Sequence, residues 1–368
     1  MVSTVRVRDV IAALADWAPP AYQESYDNAR LLCGDPDQPV SGVLCCLDST
    51  EEVIREAAES GCNLVVAHHP ILFGSLKSLT GRTYAERALL TAIRLNVALF
   101  AAHTNLDAVH NGVNDRMADR LGLTKRQILA PKRELLLKLV TFVPVEWATK
   151  VRQALFDAGA GVISNYDHCS FNTEGEGTFR GLAGTEQYVG QRGQDHMERE
   201  TRIEVVLPRH KEAEVLRLLK KAHPYEEVAY DLYPLLNEHP QVGHGLVGTL
   251  PEPLAEPDFL ALLKDRFRTP CVRHSPLTGL PIQRVALCGG AGIFLISKAL
   301  QSGAQAFVTA DVKYHQFFDA EGRILLADVG HYESEQFTAG LLAEFLSGKF
   351  DTFAVRLTSI VTNPVNYF

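Results

Sequence analysis

No two of the seven cysteines stand at C-x-x-C spacing. Cys33, Cys45, Cys46, Cys62, Cys169, Cys271 and Cys288 are odd in number, and most sit in apolar runs. That excludes a thiolate zinc site and a disulfide frame; it reads as buried thiols in a reducing compartment, so the expected location is cytoplasmic. Long apolar runs are missing too. None approaches the ~18 residues needed to span a bilayer, so no membrane partner is expected. The stretch "MVSTVRVRDVIAALADWAPP" has an amphipathic helical pattern with Asp9 and Asp16 inside it. It lacks the apolar core of a signal peptide. Basic residues are also short: 36 Lys and Arg face 44 Asp and Glu, a net charge of −8. A phosphate-binding face needs the opposite balance, so no nucleic-acid partner is expected and room is left only for a local basic pocket.

What is present suits a globular chain of 368 residues, 46% hydrophobic and 22% charged, long enough for two or three domains. From residue 41 the apolar runs "GVLCCLD", "NLVVAHH" and "VALFAAH" alternate with "STEEVIREAAESG" and "TYAERALLTAIRLN". Ser49 or Thr50 can cap the first of those helices, Glu51 and Glu52 suit its positive end, and Gly61 can end it. Asn114 offers a cap for "HNGVNDRMADRLGL". Continuous apolar strands in β-α-β order predict a parallel sheet covered on both faces. The rhythm returns in "RVALCGG", "AFVTAD", "RILLADVG" and "DTFAVRLT", with "HYESEQFTAGLLAEFLSG" as one longer helix.

The middle of the chain alternates polar and apolar residues instead, in β-α-β-β-α-β order, the pattern of a ferredoxin-like split unit. The predicted fold is therefore α/β: a parallel-sheet domain in two halves, residues 1–130 and 241–368, interrupted by an α+β insert over 131–240. Pro131 and "NEHPQVGHG" mark the seams.

Four places put metal-binding residue types at strand ends: His68-His69; His103 with Asp107; Asp311, Lys313 and His315; and Asp328 with His331 and Glu335. His331 and Glu335 are four apart and share a helix face. Ligands of open parallel sheets collect beyond the carboxyl ends of the strands. Two adjacent histidines make sense if each serves a different ion. Two ions roughly 3.5–4 Å apart can activate a water and polarise a phosphoryl, carbonyl or imine-like carbon. His103 stays open between ligand, supporting and structural roles. Asp311, Lys313 and His315 suit supporting or substrate contacts more than ligation, and Asp48 reads as a loop or cap residue. "CGGAG" at 288–292 lacks the full phosphate-loop glycine pattern and reads as a tight turn. His110, His168, His210, His223, His244 and His274 read as structural. "KAHPYEEVAYD" reads as a surface hairpin.

The motifs "VVAHHPILF", "AAHTNLDAVHNGVN", "VTADVKYHQ" and "ADVGHYESEQF", in this order, resemble the YqfO/YbgI family, the GTP cyclohydrolase I type 2 homologues. The resemblance spans essentially the whole chain. It implies two divalent ions per chain (zinc, iron or manganese) held by His68, His69, Asp107, His331 and Glu335, with Glu335 bridging them and His103 close by. It further implies a PII/CutA-like insert and a homo-oligomer, usually hexameric, with the metal sites facing an enclosed space. The family's "D-N-x-G-L" pattern is altered, since "YDNARLLCG" carries Ala29-Arg30. Two functions compete. The first is a metal-dependent hydrolase of a nucleotide-like or heterocyclic small molecule, with His103 or His315 relaying a proton and Lys313 meeting a phosphate. The alternative is a regulatory or metal-handling protein without turnover. A DNA-associated transcription factor is disfavoured by the charge.

Overall fold

The computed structural model describes residues 4–368. The chain divides into two compact units, one running up to Ala130 and resuming over Val242–Phe368, the other covering Pro131–Gln241. In chain order the strands of the first stretch are β1 (Leu31–Cys33), β2 (Gly42–Asp48), β3 (Leu64–His69), β4 (Ala98–Ala101) and β5 (Thr124–Pro131). Next come β6 (Leu136–Pro144), β7 (Phe171–Phe179), β8 (His196–Pro208) and β9 (Tyr230–Leu235). The last stretch holds β10 (Gly243–Leu254), β11 (Arg273–His274), β12 (Ile282–Leu287), β13 (Ala306–Thr309), β14 (Leu325–Asp328) and β15 (Ala354–Leu357).

The discontinuous unit contains two sheets, where the apolar rhythm alone suggests a single interrupted one. The first has the order β1-β4-β3-β2-β15, the second β11-β14-β13-β12-β10-β5. Each has a parallel centre, β15-β2-β3-β4 in one and β12-β13-β14 in the other. Antiparallel strands flank both centres: β1 against β4, β10 against β12 and β11 against β14. The central strands are buried along almost their whole length, which is why they read as unbroken apolar runs. The closing strand "DTFAVRLT" does not extend the second sheet. It crosses to the first and pairs in parallel with β2, Ala354 against Gly42 and Leu357 against Cys45.

The helices start where side chains satisfy free amides. Thr50 accepts from the Val53 amide at the head of Glu51–Glu59, and Thr83 accepts from the Glu86 amide at the head of Tyr84–Leu95. Asn114 does not cap. Gly112 precedes the helix Val113–Leu121, and Asn114 lies buried inside its first turn, tied to two other loops. The expected long helix after β14 is two helices, His331–Glu335 and Thr338–Lys349. The short one carries His331 and Glu335 at its two ends; the long one packs on β2 and β15.

The second unit is a four-stranded antiparallel sheet of order β7-β8-β6-β9. The helices Ala148–Asp157 and Glu212–Ala222 bury Val151, Leu155, Val215 and Leu219 against Leu139, Ile203, Val205 and Leu207 of the sheet. The strand alternation seen in the sequence follows from one covered and one open face.

Candidate metal centre

The carboxyl ends of both parallel centres converge on one cavity of about 620 Å³. β2 ends in Asp48 and β3 in His68-His69, with Asp48 and His69 paired across the sheet. His103 and Asp107 follow β4, Asp311 follows β13, and His331 follows β14.

Four of the imidazoles gathered here, those of His68, His69, His103 and His331, are anchored through Nδ1. His68 Nδ1 lies 2.9 Å from the Ala102 carbonyl, and His69 Nδ1 2.7 Å from Asp48. His103 Nδ1 lies 2.8 Å from Asp27, and His331 Nδ1 2.7 Å from Asp311. Each anchor is an oxygen, so each Nδ1 donates and fixes its ring. Such outer partners are the usual company of metal-binding histidines. The opposite nitrogens then face one another and two carboxylates. Three groups of ligand atoms lie within 4.8 Å of one another: His68-His69-His103, His69-His331-Glu335 and His68-Asp107-Glu335. Glu335 belongs to two of them, and the adjacent histidines divide between those two.

His68 and Asp107 form the least satisfied pair. His68 is fully buried, and burial pulls its pKa down to about 3, so the ring is neutral. With the proton on Nδ1, the Nε2 lone pair points at Asp107 Oδ1, 3.6 Å away, and Glu335 Oε2, 3.8 Å away. His68 Nε2 and Asp107 Oδ1 are both buried without a hydrogen-bond partner. Three acceptors facing one another is a costly arrangement that a cation relieves. Burial, reinforced by Glu335, lifts the Asp107 pKa to about 7. Burial pushes Glu335 up as well, but hydrogen bonds from His331 and His69 outweigh it and hold it below the usual carboxylate range. For His69, the bonds to Asp48 and Glu335 overcome burial and raise the pKa to about 9. Asp311 and Glu335 do the same for His331, raising it to about 11. The donor set, imidazoles and carboxylates with no thiolate, fits zinc, iron or manganese.

Gly290 makes close approach possible. It has φ +58°, and a Cβ there would stand 2.6 Å from Glu335 Oε1. The "CGGAG" segment is thus a turn, as its sequence suggests, and also a wall of the cavity. Asn114 braces the same corner, donating to the Asp107 carbonyl and accepting from the Gly289 amide. The outer wall is aromatic, with Tyr26, Phe73, Tyr84 and Phe294.

Of the residues singled out in the sequence, His68, His69, His103, Asp107, His331 and Glu335 come together here. Lys313 and His315 do not line the cavity. After β13 the chain turns through Asp311 at φ +54°, and Lys313 opens an exposed 3-10 segment. The His315 ring packs against Tyr314 and Phe318 instead. Within that motif Asp311 reaches the centre, through His331. Two anchors escape the sequence reading. Asp48 ends an apolar strand level with His69, a signal that was available. Asp27, in the altered "YDNARLLCG" segment, has no periodic signal; it holds His103 and the Thr104 hydroxyl, and the change to Ala29-Arg30 leaves that anchor in place. Asp48→Asn is expected to weaken metal retention about 10–100-fold, since the ring keeps an acceptor but loses the charge behind it. Chelator competition on the purified variant measures this, and wild-type retention would show that Asp48 only buttresses the fold.

The family Duf34/NIF3 (NGG1p interacting factor 3) matches residues 5–364. A Halalkalibacterium halodurans protein named GTP cyclohydrolase 1 type 2 homolog is 40% identical over 97% of this chain and 98% of its own length. A Bacillus subtilis protein of the same name is 36% identical over the full length of both. A crystal structure of a Bacillus cereus protein related to NIF3 superposes with a TM-score of 0.87 at 34% identity, covering both chains completely. The protein ybgI shares the fold at 17% identity and a TM-score of 0.60, over 98% of this chain and 100% of its own. The chain described here belongs to the Duf34/NIF3 family.

Proposed function

We propose that this protein is a metal-dependent hydrolase that holds two divalent ions per chain and acts on a nucleotide-like or heterocyclic small molecule. One ion would be held by His68, Asp107 and Glu335, the other by His69, His331 and Glu335, with Glu335 shared. The observation that carries the reading is the meeting of two partnerless buried acceptors, His68 Nε2 and Asp107 Oδ1, with a third acceptor on Glu335. Ions so placed supply an activated water and a polarised electrophile. His103, its Nδ1 held by Asp27, keeps its other nitrogen for moving a proton at the cavity wall. Tyr26, Phe73, Tyr84 and Phe294 offer flat apolar faces to a ring-shaped substrate. The name carried by the bacterial relatives supports a nucleotide substrate only as a relation of that name. Two further readings belong here. The β7-β8-β6-β9 order with two helices on one face supports a ferredoxin-like insert. The family resemblance supports a cytoplasmic homohexamer, for which light scattering that gives a monomer mass would be decisive against.

The direct test is metal content per chain, followed by a turnover screen of nucleotides, nucleosides and phosphate esters with zinc, iron or manganese. More than one ion per chain and metal-dependent turnover are expected. Metal without turnover of any compound would favour the metal-handling reading.

Every residue of the three ligand groups lies in the discontinuous unit. The cut ends belong to β5 and β10, neighbours in one sheet. Replacing 131–241 by a short linker is therefore expected to leave a soluble protein with its metals. Metal loss from a folded deletion variant would mean that the insert helps to build the site.

A further inference from the structure

The second unit carries its own cavity, of about 570 Å³, which the hydrolytic reading does not use. β7 and β8 form its floor, and the 180–188 loop and the turn Tyr225–Ala229 form its sides. Phe179, Tyr188 and Tyr225 line it as a group of tilted rings. The Phe179 and Tyr225 centroids are 5.8 Å apart, and those of Tyr188 and Tyr225 6.2 Å apart. Tyr225 is held from behind. Its amide donates to His223 Nδ1, and His223 Nε2 donates to the Phe142 carbonyl.

Among these rings sits a carboxylate. Glu200 is only 8% exposed. Its Oε1 accepts from the Tyr225 hydroxyl at 2.9 Å, its Oε2 accepts from no donor of the described residues, and the carboxylate lines the cavity. No cation of the described residues pairs with it. Arg202 is engaged by Glu204 and Arg180 by Asp195, while Glu226 is spent on the Glu186 amide. Gly177, on the neighbouring strand, supplies the space: any Cβ there would collide with the Glu200 carboxylate. A second acceptor at the wall, Gln187 Oε1, is buried and also lacks a donor. A buried carboxylate with one neutral donor is poorly compensated, and a cation with N–H groups would complete it. A bare metal ion suits the place less well, because no three metal-binding atoms of the described residues converge there.

We propose that this cavity binds a small organic cation that bears N–H donors, a protonated primary amine or an amidinium. Its donors meet the free oxygen of Glu200, and its carbon body lies against Phe179, Tyr188 and Tyr225. The aromatic faces attract the charge as well as the hydrocarbon. The "KAHPYEEVAYD" segment, a surface hairpin by sequence, thereby acquires a binding role through Tyr225.

The test is isothermal titration of the full chain with n-butylammonium, acetamidinium and tetramethylammonium, the last having charge but no N–H. Saturable binding of one amine or amidinium per chain is expected, with tetramethylammonium roughly tenfold weaker or worse. Glu200→Gln keeps the shape and the Tyr225 contact but removes the charge, and should weaken binding roughly tenfold or more. Gly177→Ala keeps the charge but displaces the carboxylate, and should weaken binding as well. Thermal melts establish that both variants are folded. Binding that survives both substitutions, equal binding of tetramethylammonium, or no saturable binding of any probe at millimolar concentration would each overturn the assignment.

Discussion

Glu335→Ala protein is expected to come off a purification column folded but stripped of metal. The reason is positional. Glu335 is the one carboxylate common to two ligand groups, and it is buried to 4% exposure between His69, at 2.9 Å, and His331, at 3.1 Å. Losing a residue that merely supports a metal ligand costs about 10–100-fold in affinity, so losing a ligand shared by two ions should exceed that range. The metal-free fold is hit less hard, because two effects oppose each other. His69 and His331 lose the carboxylate that stabilises their charge, while Asp107 loses the negative neighbour that raises its pKa. Two measurements separate these effects: ions per chain, and the rise in melting temperature on adding zinc, which reports binding to the native state. Wild type should show a large rise and the variant almost none. His103→Ala should fall between them, since His103 enters a single ligand group. A Glu335→Ala protein that keeps the wild-type complement of metal would remove the basis of the shared-ligand reading.

Zinc uptake by the metal-free protein should release protons, roughly two to three per chain at pH 7, one each from His69 and His331 and part of one from Asp107. His69 and His331, at about 9 and about 11, hold their protons through neutrality because they face Glu335, Asp48 and Asp311. A metal takes the lone pair only after the proton has left. Apparent affinity should therefore climb with pH across the neutral range, rise less steeply once His69 has titrated near 9, and level off only when His331 has titrated near 11. Stability runs the other way in the metal-free form. The His69 pKa is raised by folding from 6.5 to about 9, so its contribution is full below about 6.5 and is lost as pH rises through about 9. The metal-loaded form has no such protons to lose. The melting-temperature gap between loaded and metal-free protein should widen from pH 6 to 9. Calorimetry in buffers of different ionisation enthalpy counts the protons directly, and a count near zero would contradict the proposed ligands.

The legible parts of the molecule are the local ones. "GVLCCLD" and "NLVVAHH" are strands because nothing but burial on both faces explains such runs, and Thr50 starts its helix because its hydroxyl reaches the Val53 amide. His331 and Glu335 share a face because they are one turn apart. What escaped depends on distant chain segments. Nothing near "DTFAVRLT" says that it pairs with β2 rather than with β14. Asn114 has the side chain of a cap, yet the loops of Asp107 and Gly289 claim it first. Lys313 and His315 follow a strand end as His331 does, but the turn at Asp311 carries them away from the cavity. Asp48 and Asp27 could be recognised only with the partner imidazoles in view.

The parallel pairing of β15 with β2 also bears on how the protein is made. β2 leaves the ribosome early, but its outer neighbour is translated roughly 300 residues later, which at about 5–20 residues per second is a delay of roughly 15–60 s. Through that interval one edge of a strand that is apolar up to its terminal Asp48 has no partner, and unpaired edges invite other chains. The insert can fold while the first sheet waits, since its contacts are internal. Newly made protein should thus depend on chaperones chiefly through its N-terminal sheet, and a nascent chain stalled before Ala354 should be more prone to aggregation than one released just beyond Leu357.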